Sequence, residues 1–134
     1  MACRASGSID DTTMIGILLV THGSLGDALI RGATHVMGKP LEHVRALPVT
    51  TADAPEDMLA AARLLVAEIE EGQGVLVISD ICGGTPSNIA TRLGDPGHVE
   101  AISGASLPML VRALTRSEEH TSELQSRLHL VCRL

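Results

Sequence analysis

Apolar and polar positions along the chain alternate between two periods. "MIGILLV" (Met14 to Val20) is a short continuous apolar run rich in branched residues, which predicts a strand buried on both faces. Leu25, Ala28, Leu29, Gly32 and Val36 then recur at helical spacing, and Gly38 followed by Pro40 ends that helix. "HVRALPV" (His43 to Val49) predicts a second strand, placed at a sheet edge by Pro48. Asp53 is placed to cap a second helix, with Pro55, Glu56 and Asp57 in its first turn. Its apolar stripe is Met58, Ala61, Ala62, Leu65 and Ile69, and Gly72 closes it. "VLVIS" (Val75 to Ser79) is another strand of the doubly buried kind. "DICGGTPSNIATRL" holds a loop and a short helix, with Thr85 as cap and Pro86 in the first helical position. "VEAIS" (Val99 to Ser103) predicts a fourth strand, and Leu107, Leu110, Val111 and Leu114 open a fourth helix.

Repeated strand–helix alternation is the signature of a parallel sheet covered on both faces. The expected fold is therefore α/β, a three-layer sandwich with a mainly parallel four-stranded sheet. The two most apolar strands, the first and third, belong at the centre and the Pro-bearing second outside, which gives a flavodoxin-like order of 2-1-3-4. In such sheets a ligand site forms beyond the carboxyl ends of the strands, where the connections change direction. "THGS" and "DICGGTP" are the loops that emerge there. His22, Asp80 and the Gly83-Gly84-Thr85 turn should therefore meet, although they are far apart along the chain.

Composition narrows the function. The chain of 134 residues contains no Phe, Tyr or Trp and has a formal charge of -6. It offers no base-stacking platform and no basic footprint, so nucleic acid is excluded as partner and ring-stacking on sugars is disfavoured. The apolar runs are strand-length, far short of a bilayer span, so no direct membrane insertion is expected. "MACRASGSIDDTT" lacks an apolar signal-peptide core, and 1–13 is expected to be a disordered lead-in. Cys3, Cys82 and Cys132 have no metal-like pairing, which points to a reduced, cytoplasmic protein. After Thr115 the character changes. "RSEEHTSELQS" (Arg116 to Ser126) is what a widely used short-read sequencing adapter encodes when translated in frame. Residues 116–134 are accordingly read as a non-native tail, with His120, His129 and Cys132 left out of any site, and 14–115 as the domain. A charged amphipathic helix over the same tail is the competing reading.

The groups expected at the switch point are an imidazole, a carboxylate, the hydroxyls of Thr21, Ser24 and Thr85, and glycine backbone. Helix amino termini lie beside them, at Thr85–Pro86 and near Ser24, and their unpaired N–H groups favour an anion. No "GxxxxGK[ST]" loop and no "GxGxxG" turn provides a nucleotide cradle. No second ligand stands at metal spacing from His22, so neither metal nor other cofactor is expected. A histidine that accepts and donates a phosphoryl group needs neither. It needs a neutral ring nitrogen aimed at phosphorus and fixed through the other nitrogen, and Asp80 is placed to accept that second bond.

"LLVTHGSLGDAL", then "GVLVISDICGGTPSNIA", then "ISGASLPMLV" together resemble the mannose-type (mannose/fructose/sorbose) EIIA domain of the bacterial phosphoenolpyruvate-dependent sugar phosphotransferase system. The resemblance covers Met14 to Thr115. It implies a phosphorelay protein, phosphorylated on His22 by the phosphocarrier protein HPr and passing the group to a IIB domain. It further implies that Asp80 orients the histidine, and that Gly83, Gly84 and Thr85, with Ser24, receive the phosphoryl oxygens. Cys82 stands where many relatives carry a bulkier apolar residue. Relatives commonly form homodimers, some by exchanging a C-terminal strand, and this chain is read as truncated before that element.

Other residues have plainer readings. His35, His43 and His98 sit at helix or strand ends without acidic neighbours in the pattern and are expected to be solvated. Glu68, Glu70 and Glu71 form a wet helix face able to meet a basic partner surface. Cys82 beside a histidine is more simply a small apolar residue than a nucleophile. Two alternatives to the relay enzyme stay open: a regulatory phosphohistidine module without sugar transport, and a binding domain for a small anion without transfer. The related IIA-like domain of dihydroxyacetone kinase tends to carry a serine-rich turn after its histidine, and "THGS" is closer to the mannose type.

Overall fold

Four strands and four helices alternate in the computed structural model, which describes residues 15–81 and 83–119. They are β1 (Gly16–His22), α1 (Leu25–Met37), β2 (Val44–Val49), α2 (Pro55–Ile69), β3 (Val75–Ser79), α3 (Thr85–Leu93), β4 (Val99–Ser103) and α4 (Leu107–Glu119). The lead-in 1–13, Cys82 and the tail from 120 onward lie outside the described residues. The sheet is parallel throughout, in the order β2-β1-β3-β4. This is the expected α/β sandwich.

Strand alternation divides the core between two faces. Ile17 and Leu19 of β1 and Leu76 and Ile78 of β3 pack with Ala33 of α1 and Met109, Leu110, Ala113 and Leu114 of α4. Leu18, Val20, Val75 and Val77 pack on the other side with Leu59, Ala62 and Ile69 of α2 and Ile89, Ala90 and Leu93 of α3. Because β1 and β3 are covered on both faces, their sequences are continuous apolar runs rather than alternating ones. No helix of the described residues is long and apolar enough to cross a membrane.

Several local expectations are corrected. β1 runs past its apolar stretch, because Thr21 and His22 still pair in register with Pro48 and Val49 of β2. His22 is thus the last residue of a strand rather than a loop residue. In α1 the buried positions are Gly26 and Ala33, flanked by the partly buried Leu29, Ile30 and Met37, while Leu25 and Val36 are exposed. Ala28 also faces solvent. Asp53 does not cap α2: the residue before the helix is Ala54, which makes no side-chain cap. The Asp53 carboxylate instead accepts from the amide and hydroxyl of Thr50, closing the turn after β2.

The acidic end of α2 is not a free wet face either. Glu68 pairs with Arg45 at 3.4 Å, Glu70 lies 3.7 Å from His98, and Glu71 lies 3.7 Å from His43. His43 and His98 therefore do have acidic neighbours, brought to them from the α2–β3 connection. His35, in the last turn of α1, is exposed as expected.

Candidate active site at the carboxyl ends of β1 and β3

β1 and β3 lie side by side with Val20 opposite Ser79, so the residues that follow, Thr21–His22 and Asp80, leave the sheet together. The His22 ring and the Asp80 carboxylate meet there: Nδ1 of His22 is 2.8 Å from Oδ2 of Asp80. The same oxygen accepts the backbone N–H of His22 at 2.9 Å, and Oδ1 accepts the N–H of Ile81 at 2.8 Å. An ionised carboxylate only accepts, so Nδ1 carries the proton and the Nε2 lone pair is left unprotonated in the neutral ring. The His22 side chain is 50% exposed and that of Asp80 9%, so the acid is sheltered while the ring edge is open to a reactant.

Burial alone would raise the Asp80 pKa. It is outweighed by the His22 backbone N–H, the His22 ring, the Ile81 N–H and the charge interaction with His22, so the carboxyl is held below its ordinary 3.8. Asp80 therefore stays an acceptor across the physiological range.

Gly84 lies close against the other side of the ring. A Cβ built on Gly84 would lie 3.2 Å from Cε1 and 3.4 Å from Nε2 of His22, so a side chain there would press on the Nε2 edge of the ring. Gly83 before it has φ 94°, in the left-handed region that favours glycine. These residues lead directly into α3, whose first helical residue is Thr85. The expected Thr85 cap is corrected: Gly84 occupies the cap position and no side-chain cap bond is made, leaving the Thr85 hydroxyl outside that role. Pro86 is the second helical residue.

The helix starts at this rim differ in charge. α1 has Asp27 and α2 has Glu56 and Asp57 in the first turn, whereas α3 has no acidic residue there. The positive ends of α3 and α4 are thus both left uncompensated by acidic residues of their own first turns, and that of α3 follows Gly84, the residue against the His22 ring.

The remaining expected members are placed as follows. Ser24 precedes α1 and is exposed, and its hydroxyl makes no cap bond. Thr21 is fully buried and its Oγ1 accepts the Gly26 N–H at 2.8 Å, so its hydroxyl serves α1 rather than the anion cradle. The backbone turn between them is held by the Gly23 N–H, which donates to the Val49 carbonyl at 2.9 Å. The backbone amide of His22 is a second donor to Asp80, and nothing in residue identity marks it.

Comparison with known proteins converges on one family. A family model described as "PTS system fructose IIA component" matches residues 16–128. The chain is 30% identical over 109 residues to the PTS system mannose-specific EIIAB component of Escherichia coli (strain K12), covering 81% of this chain and 33% of that protein. It is also 24% identical over 119 residues, covering 87% of this chain and 12% of the relative, to the transcriptional regulatory protein LevR of Bacillus subtilis (strain 168). It thus spans about a third or less of the curated relatives it matches. The fold matches the crystal structure of phosphotransferase system component EIIA from Streptococcus agalactiae with a TM-score of 0.77 and 24% identity, over 90% of this chain and 91% of that one.

Proposed function

The chain belongs to the mannose/fructose-type EIIA family of the sugar phosphotransferase system, and from that premise we propose that it is a phosphorelay domain that carries a phosphoryl group on Nε2 of His22. The donor is the phosphocarrier protein HPr and the acceptor a IIB domain, with sugar uptake downstream and the exchange taking place in the cytoplasm. One observation carries the reading: the 2.8 Å contact of Nδ1 with Asp80 leaves Nε2 as the free lone pair, on the edge that faces Gly84 and the start of α3.

The transfer balances without a cofactor. The Nε2 lone pair of His22 attacks phosphorus in line as the P–N bond to the donor histidine breaks, and that electron pair returns to the donor ring. The His22 ring becomes cationic, with its proton kept on Nδ1, and the Asp80 carboxylate stabilises that charge. Backbone N–H groups at Gly83, Gly84 and the first turn of α3, the Thr85 hydroxyl, and Ser24 at the near lip receive the phosphoryl oxygens. Transfer to the IIB acceptor is the same displacement in reverse. Leu25 and Ile81, both exposed, follow His22 and Asp80 in the chain and supply an apolar rim for whichever partner is docked.

Incubation with phosphoenolpyruvate, enzyme I and HPr is expected to place an acid-labile, base-stable phosphate on the chain, and His22→Ala is expected to remove it. An undiminished label in His22→Ala would reject the proposal. The likeness to a transcriptional regulator supports a second reading, in which the same phosphohistidine reports the state of the phosphotransferase system without sugar transport. The two are separated by the acceptor: a chain that takes the label from HPr but passes none to any IIB partner is the regulatory form.

A further inference from the structure

α1 begins without a side-chain cap from its own cap residue. Ser24 stands at the cap position, yet its side chain makes no cap bond. The acceptor comes from the strand instead: Oγ1 of Thr21 takes the Gly26 N–H at 2.8 Å, and both residues are buried. The seat is tight. A Cβ on Gly26 would lie 3.0 Å from Thr21 Oγ1, 3.1 Å from Ala46 Cβ and 3.4 Å from Leu19 Cβ, so the first turn of α1 rests directly on β1 and β2.

Successive strand residues point to opposite faces. Thr21 therefore locks α1 on one face while His22, the next residue, works against α3 on the other. Only Gly23 and Ser24 separate the strand from the helix. The short link is pinned at the His22 N–H by Asp80, at the Gly23 N–H by Val49, and at the Gly26 N–H by Thr21.

We infer that Thr21 is a positioning residue for phosphoryl transfer: its buried hydroxyl replaces the missing cap of α1 and so fixes the backbone from which the His22 ring is aimed at the Gly84 turn. The inference rests on the phosphoacceptor reading above. Removing the acceptor leaves the Gly26 N–H buried and unpaired, which drives the first turn of α1 away from the strand end. The His22 backbone moves with it, and small displacements of a reacting group carry large rate penalties.

The test compares Thr21→Val, which keeps the shape and loses the acceptor, with Thr21→Ser, which keeps the oxygen, in the full chain. Thr21→Val is expected to take phosphate from HPr about tenfold more slowly at saturating donor, with KM for HPr unchanged. Its His22 imidazole nitrogen resonances should shift, and Thr21→Ser should restore both. A folded Thr21→Val chain with the unsubstituted rate and imidazole spectrum overturns the inference, as does Thr21→Ser behaving like Thr21→Val. Should Thr21→Val fail to fold, amide exchange in the unsubstituted chain decides. Gly26 is expected to be protected, and exchange there as fast as at an open helix start overturns the inference. Absence of any label on unsubstituted His22 is a failure of the phosphoacceptor reading instead, and is distinguished by the Gly26 exchange remaining slow.

Discussion

Both rims of the sheet place histidine beside carboxylate, and the pairs differ in geometry and in the helix ends around them. At the carboxyl rim His22 and Asp80 meet at 2.8 Å; at the amino rim His43–Glu71 and His98–Glu70 are each 3.7 Å apart, beyond hydrogen-bond distance. Asp80 is locked by the N–H groups of His22 and Ile81, so it can dictate the tautomer of the ring it holds. Glu70 gives one oxygen to the Gly72 N–H, while its other oxygen is buried without a hydrogen-bond partner. The polarity of the helices separates the rims further. In a parallel sandwich every helix turns its amino end to one rim and its carboxyl end to the other, so an anion is favoured beside the start of α3 and disfavoured beside the end of α2. On the proposed relay a histidine–carboxylate pair alone does not suffice; the tautomer lock and the helix start act together.

The comparison can be broken most severely at the lock. Asp80→Asn is expected to slow phosphorylation of His22 by about 10- to 100-fold, because the amide no longer stabilises the cationic ring. The rate of label uptake from HPr measures it. Gly84→Ala should follow closely, since the new Cβ would lie 3.2 Å from Cε1 of His22 and must displace the ring; a loss of about tenfold or more is expected with thermal stability nearly unchanged.

A smaller effect separates the rims by pH. Because Asp80 is held below its ordinary 3.8, its contribution to stability is fully present above that value and is lost as the pH falls through the lowered one. Urea unfolding should therefore show the unsubstituted chain more stable than Asp80→Asn at neutral pH, with the gap closing only below about pH 3.8. The smallest effect belongs to the amino rim. His43→Ala and His98→Ala should leave phosphorylation unchanged, and Glu71→Gln should alter stability by no more than about 1 kcal/mol, because the carboxylate is exposed and lies 3.7 Å from His43. A phosphorylation defect in either histidine variant would undo the distinction.

The carboxyl rim was legible in the sequence because topology does the work there. Once "IGILLV" and "VLVIS" are recognised as adjacent central strands, the residues that follow each must emerge together, and His22 and Asp80 do. The amino rim was illegible for the opposite reason: Glu70 and Glu71 reach His98 and His43 from a connection that lies far from both in sequence, and no local spacing announces it. On α1 hydrophobicity alone favours Leu25 and Val36 for the buried face, whereas close helix–sheet packing selects the small Gly26 and Ala33. Residue type alone points to Asp53 and Thr85 as helix caps. Capping depends on the backbone angles of the position, and at these two helices Ala54 and Gly84 occupy it.

The central claim is that Asp80 reserves one ring nitrogen of His22 for phosphorus. The most direct measurement is nitrogen–phosphorus correlation spectroscopy on the chain after phosphorylation by phosphoenolpyruvate, enzyme I and HPr. A single phosphohistidine at Nε2 of His22, with the proton retained on Nδ1, is predicted. Phosphate on Nδ1 of His22, or on His43 or His98, would contradict it.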